Sequence, residues 1–318
     1  MRPIVTLACL LAATAAAAAP ARADDYAGKR LLHVDSYHRG NEWNDRIADA
    51  VVAAFAGTDL DVKVIHLDTK RKPSEAEKRA AAAAAYREIE AWDPDVVTAS
   101  DDNAAQYLIR EYYRDAARPV VFSGLNWDAG AYGLPYSNVT GMVEVSPIPQ
   151  IVRLLRSYAA GDRIGFIAED TETKRKEVDY HGKLFDLRYD AVYLVKTFAE
   201  WRDAFLRAQD EVDMLLVLGV GALTDWDDAE ARRLTERETR IPTGTDFGWL
   251  AGYTLLAVGK VPEEQGRFMA EAAAQILHGT PPSAIPLAYN KEGELFFNRR
   301  IAATLGIDEA PPLAREVP

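Results

Sequence analysis

The chain has 318 residues, enough for two hydrophobic cores, and its 48% apolar and 27% charged residues are the balance of a globular protein. Its formal charge of -12 repels nucleic acid and anionic membrane surfaces, which argues against both as partners. The single cysteine, Cys9, lies in the N-terminal apolar stretch, so the rest of the chain has no disulfide or thiol chemistry.

That stretch reads as an export signal. Arg2 supplies a positive start, and Ile4 to Ala19 is interrupted only by Thr6 and Thr14. Ala21-Arg22-Ala23 has the small-x-small pattern of a cleavage site, which predicts a signal peptide over 1–23 and a mature chain beginning at Asp24. The stretch is short for a membrane span and no second one follows. A lipid anchor at Cys9 would require a leucine three residues earlier, where Thr6 stands. The expected product is soluble, periplasmic and monomeric, with no membrane insertion after cleavage.

The mature chain alternates strands and helices. A strand from Leu31 leads into a helix over Asn41 to Phe55, with Ile47, Ala50, Val51 and Ala54 at helical spacing. Strand Asp61 to Leu67 precedes a helix from Ser74 to Trp92, where Ser74 and Glu77 form a capping box and Asp93-Pro94-Asp95 stops the run. Strand Asp95 to Ala99, helix Asn103 to Ala116 and strand Pro119 to Ser123 follow. Asp128 to Glu144 reads as a loop and a short strand, Asn138 to Val143, at the first crossing into a second lobe. The pattern then restarts with helix Ser146 to Ala159, strand Arg163 to Ala168, helix Thr171 to Phe185 and strand Ala191 to Val195. Helix Ala199 to Ala208, strand Val212 to Leu218, helix Asp225 to Thr239 and strand Ile241 to Thr245 continue it. The end breaks the alternation: strand Thr254 to Val258, helix Glu263 to His278 capped by Gly279, two extended pieces, and a helix from Arg299 to Leu305.

Strands alternating with helices form parallel sheets, and these bind ligands beyond the carboxyl ends of their strands. The residues there are the candidate site. Tyr37, His38 and Trp43 follow the first strand and can stack on a planar or sugar-like ligand. Asp101 and Asp102 follow the third; one is expected to cap the next helix and the other to accept ligand hydrogen bonds. Asn126 and Trp127 follow the fourth, an amide beside an indole. In the second lobe Asp170, Thr171, Gly221, Ala222 and Asp246 take the facing positions, and the glycine would let backbone amides approach. Acids with aromatics suit a polyol, sugar, amine or aromatic compound equally.

Catalytic and cofactor signatures fail. Gly219-x-Gly221 lacks its third glycine, with Thr224 in that position, and no Gly-x-Ser-x-Gly occurs. His33, His66 and His181 have no metal-ligand spacing. The basic runs Lys70-Arg71-Lys72 and Lys174-Arg175-Lys176 read as solvated surface. No cofactor, metal or catalytic set is expected.

Several segments in order carry a resemblance across the mature chain. They are Ser36-Tyr37-His38-Arg39-Gly40-Asn41-Glu42-Trp43, Asn138-Val139-Thr140-Gly141, Gly252-Tyr253-Thr254-Leu255-Leu256-Ala257-Val258, Ile276-Leu277-His278-Gly279 before Ile285-Pro286, and Asn298 to Ile307. In these the chain resembles ABC-transporter substrate-binding proteins of the tryptophan/tyrosine-binding type. The resemblance implies an α/β fold of two Rossmann-like lobes with parallel sheets joined by a multi-crossing hinge, the type I periplasmic-binding fold. On that fold 24–140 plus 260–283 form lobe 1, and 141–259 plus 284–318 form lobe 2. Glu144 to Pro149 and Asp246 to Trp249 depart from the family's usual pattern, the latter being more aromatic and acidic. The implied function is capture of a small molecule between lobes for delivery to an ABC permease. The alternatives are a ligand sensor that presents its closed state to a membrane signalling protein, and a periplasmic hydrolase, for which no nucleophile-base set is visible.

Overall fold

The structure is a computed structural model that describes residues 26–72 and 74–317. The expected signal peptide lies outside the described residues. Among those described, no helix is long and apolar enough to cross a membrane.

In chain order the first lobe contains β1 (Arg30–Asp35), α1 (Glu42–Ala54), β2 (Asp61–His66), α2 (Glu75–Trp92) and β3 (Val96–Ser100). It continues through α3 (Asp101–Ala104), a π turn (Ala105–Ile109) and α4 (Arg110–Tyr112), then β4 (Val120–Asn126) and β5 (Val139–Glu144). The second lobe follows with α5 (Ile148–Arg156), β6 (Ile164–Glu169), α6 (Glu172–Phe185), β7 (Ala191–Val195), α7 (Phe198–Glu211), β8 (Met214–Val217), α8 (Asp228–Glu238), β9 (Thr243–Thr245) and β10 (Leu256–Lys260). The chain returns for α9 (Pro262–Leu277) and β11 (Ala288–Tyr289), then crosses back for β12 (Gly293–Phe297), α10 (Arg299–Thr304) and β13 (Arg315–Glu316).

Local chemistry sets many of these boundaries. Asn41, Ser74, Thr171, Thr197, Asp227 and Asn298 each turn a side-chain oxygen onto the first free amides of a helix. Ser74 and Glu77 form the expected reciprocal box. The expected helix over Asn103 to Ala116 is instead interrupted by the π turn, an irregularity that sequence periodicity does not reveal.

The first sheet runs β11-β5-β4-β3-β1-β2, entirely parallel. The second runs β13-β12-β10-β9-β8-β6-β7, and only the β10–β12 pair is antiparallel. Helices cover both faces of each sheet. In the first lobe α1 and α9 share a core with Leu31, Val96 and Val121, while α2 and the π turn seal the other face around Val97, Phe122 and Leu125. A β-carbon at Gly266 would stand 2.3 Å from the Ile47 carbonyl, so α9 approaches α1 as closely as only glycine permits.

The sheets correct the expected lobe boundaries. All of β5 and β11 belong to the first sheet, although residues 141–144 and 288–289 were expected in lobe 2. The crossings fall at residues 145–147, at Val261 and at residues 290–292. They are stitched together. The Asn290 side chain makes two hydrogen bonds to Val145, its Oδ1 accepting from the amide at 2.6 Å and its Nδ2 donating to the carbonyl at 3.0 Å. Glu264 accepts the amides of Lys291 and Glu292 at 2.7 and 2.9 Å.

Candidate functional site

Both sheets reverse winding direction, between β1 and β3 in one and between β6 and β8 in the other. Crevices form at such points. A cleft of about 460 Å³ lies between the lobes, lined by residues of both. That volume suits a small molecule.

The first lobe's wall is built on a polar knot at the switch point. Asp35, the last residue of β1, accepts the Tyr37 amide at 2.7 Å and the Asn44 amide group at 2.8 Å. Asn44 also donates to Asp101, tying the end of β1 to the end of β3. Asp101 has φ +71°, a left-handed conformation that costs energy for a residue with a side chain. Gly124 makes room for it: a β-carbon there would stand 3.1 Å from the Asp101 amide. Burial holds the Asp101 carboxyl well above the usual range against the Asn44 hydrogen bond, and Glu144, Asp35 and Asp102 add to the rise. Burial also raises Asp35.

The floor is the crossing itself. Lys260 ends β10, with Nζ 2.5 Å from Glu144 Oε1 at the end of β5. Gln265 on α9 donates to the other Glu144 oxygen at 2.8 Å. Burial disfavours the Lys260 charge, but Glu144 and Asp246 outweigh it and hold the amine above its ordinary value. Asp246, after β9, is 4% exposed and accepts the Ser146 hydroxyl. Aromatic rings complete the walls: Tyr37 and Trp43 from the first lobe, Phe247, Trp249 and Phe296 from the second.

Of the twelve residues expected from sequence, Tyr37, Trp43, Asp101, Asn126 and Asp246 line this cleft. The other seven do not, and each has another role or position. His38 faces Asp68, 3.7 Å from its carboxylate. Asp102 braces the Asn126 loop through that residue's Nδ2 at 2.7 Å and Tyr132 at 2.8 Å. Neither acid caps the helix; Ser100 holds the cap position, with no side-chain cap bond. Trp127 packs against the second lobe, on Tyr180 and His181. Asp170 is drawn away by Arg175 and Lys196. Thr171 caps α6, and Gly221 and Ala222 are exposed outside the cleft.

Sequence reading missed other lining residues, including Asn44, Lys70, Glu144 and Lys260. Lys260 ends a strand that was expected to stop at Val258; a lone lysine after the apolar run Leu255 to Val258 was the available signal. Lys70 turns from the supposed surface run over the Tyr37 ring, 4.1 Å from its centroid. Lys174, from the second such run, is buried and bonded to both Glu177 oxygens at 2.8 and 2.9 Å.

No protein-family model matches the chain, and no curated protein matches it. Solved structures do. A ligand-free, open substrate-binding protein with adhesive properties from Clostridium difficile aligns with TM-score 0.69 at 17% identity, over 91% of this chain and 99% of that one. A Streptococcus pneumonia ABC domain in complex with L-Trp aligns with TM-score 0.52 at 16% identity, over 91% and 99%. A periplasmic ribose ABC transporter protein from Conexibacter woesei aligns with TM-score 0.55 at 16% identity, over 89% and 96%. The two parallel-dominated α/β lobes of this chain therefore have the type I periplasmic-binding fold of these solved structures.

Proposed function

We propose that the protein is an exported solute-binding protein that captures a small molecule between its lobes and delivers it to an ABC importer. The observation that carries this reading is the cleft: it lies on the inter-lobe crossings and takes aromatic and acidic side chains from both sides. A ligand contacting both walls favours the closed arrangement over the open one by its differential binding energy, which gives a permease a surface to distinguish. The acids and rings act as binding groups in this account, and the protein is not a catalyst. The 1–23 segment directs export, and the mature protein works as a periplasmic monomer.

A thermal-shift screen of residues 24–318 against amines, amino acids, sugars, polyols and nucleosides tests the reading. At least one class should raise the melting temperature in a concentration-dependent way. Substitution of Trp43 and Asp246 should abolish that rise. A rise that survives both substitutions places binding elsewhere and contradicts the reading.

A further inference from the structure

Carboxyl groups outnumber amines in the cleft. Asp101, Glu144, Asp246 and Glu294 line it against only two amines, Lys70 and Lys260. Lys260 is engaged by Glu144 at 2.5 Å, and Lys70 is exposed at the mouth above Tyr37. The carboxylate of a ligand would therefore meet no unengaged buried cation among the described residues lining the floor.

One acceptor of the floor also lacks a donor. One Asp246 oxygen takes the Ser146 hydroxyl; the other, Oδ1, is buried with no donor among the described residues. A buried acceptor left unsatisfied is costly, more so when charged, and a ligand that brings an N–H group removes that cost. Trp43, Phe247 and Trp249 line the cleft, and aromatic rings attract cations and cover apolar bodies. Lys260 lies over Trp43 at 5.7 Å and Lys174 over Phe247 at 5.1 Å, whereas among the described residues no lysine lies over Trp249, which is 54% exposed. Ammonium and aromatic or alkyl body are the two halves of one ligand class.

We propose that the cleft selects a small organic amine with an apolar or aromatic body and no carboxylate, its ammonium group directed to Asp246 and Asp101. This rests on the reading of the cleft as the ligand site.

Titration calorimetry on residues 24–318 tests it with matched pairs that differ only by a carboxylate: tryptamine and tryptophan, phenethylamine and phenylalanine, putrescine and ornithine. Ribose and myo-inositol serve as neutral probes. At least one amine should bind, with its carboxylated partner at least tenfold weaker. Asp246→Asn should weaken that amine at least tenfold while keeping the melting temperature and circular dichroism of the parent. If Asp246→Asn fails to fold, Asp101→Asn should show the same loss. Amino acids binding as tightly as their amines, or sugars binding alone, overturns the inference while leaving the cleft a ligand site. Unchanged amine affinity in the folded variant also overturns it. Silence of all eight compounds overturns it too, and the wider metabolite screen then decides the binding reading separately.

Discussion

Trp127 of the first lobe lies flat on Tyr180 of the second, their ring centroids 5.9 Å apart and their planes 9° from parallel. Trp127 holds φ +67°, and its amide donates to the Glu144 carbonyl at 3.0 Å, so the indole leaves the β4–β5 edge pointed across the lobe boundary. It is a lobe-to-lobe contact and not a wall of the cleft.

Stacked aromatic pairs contribute about 0.5–1.5 kcal/mol beyond the area they bury. Trp127→Ala is expected to lower the melting temperature and to shift the lobes toward wider separation, seen as a larger radius of gyration without ligand. Tyr180→Ala should do the same, and the double substitution should add little. Full additivity in the double-mutant cycle would show that the rings do not act as a pair.

The Lys260–Glu144 pair joins two of the three crossings, with side-chain exposures of 17% and 8%. Removing one partner of a buried ion pair costs about 3–5 kcal/mol, because the other charge is left uncompensated. Lys260→Met should lower unfolding free energy in urea by that order, and adding Glu144→Gln should recover most of the loss. A Lys260→Met protein as stable as the parent would contradict this assignment.

Two histidines make stability depend on pH. Burial pushes His33 and His181 down to about 3; the charge of His66 adds to the first and that of Lys174 to the second. His33 Nδ1 lies 2.9 Å from the Thr98 hydroxyl, and His181 Nδ1 lies 2.6 Å from the Tyr189 hydroxyl. Below about pH 6.5 the unfolded chain protonates both rings while the folded chain does not until about 3. Their contribution is therefore complete above pH 6.5 and is lost as pH falls toward 3. The raised carboxyls of Asp35, Asp101 and Glu177 act in the opposite sense at acidic pH, since the folded form holds those protons more tightly. The difference between parent and His181→Phe isolates the imidazole. Unfolding free energies from urea titrations between pH 7 and pH 4 should fall less steeply for the variant, by up to about 1.4 kcal/mol per pH unit. Parallel curves would show that His181 titrates normally in the fold.

Much of the fold was legible because its signals are local. Ser74 and Glu77 announce α2, and the apolar runs around Leu31, Val96 and Leu215 announce three sheet strands. The lobe boundary was misplaced because residues 141–144 have the same apolar pattern in either sheet; only pairing with Phe122, Leu125 and Asn126 assigns them. In the site, the strand-end rule found residues whose side chains stay where their strands aim them, such as Tyr37 and Asp246. It could not anticipate Asp170, which two surface cations pull away, or Trp127, whose left-handed backbone redirects the ring. Lys260 was hidden by a strand that runs two residues further than its apolar segment.

The central claim is that a ligand in the inter-lobe cleft draws the lobes together. Small-angle scattering on residues 24–318, with and without the compound that most raises the melting temperature, tests it directly. The account predicts a smaller radius of gyration at saturation, and loss of that change in Asp246→Asn at the same compound concentration. An unchanged radius of gyration in the saturated parent protein would contradict it.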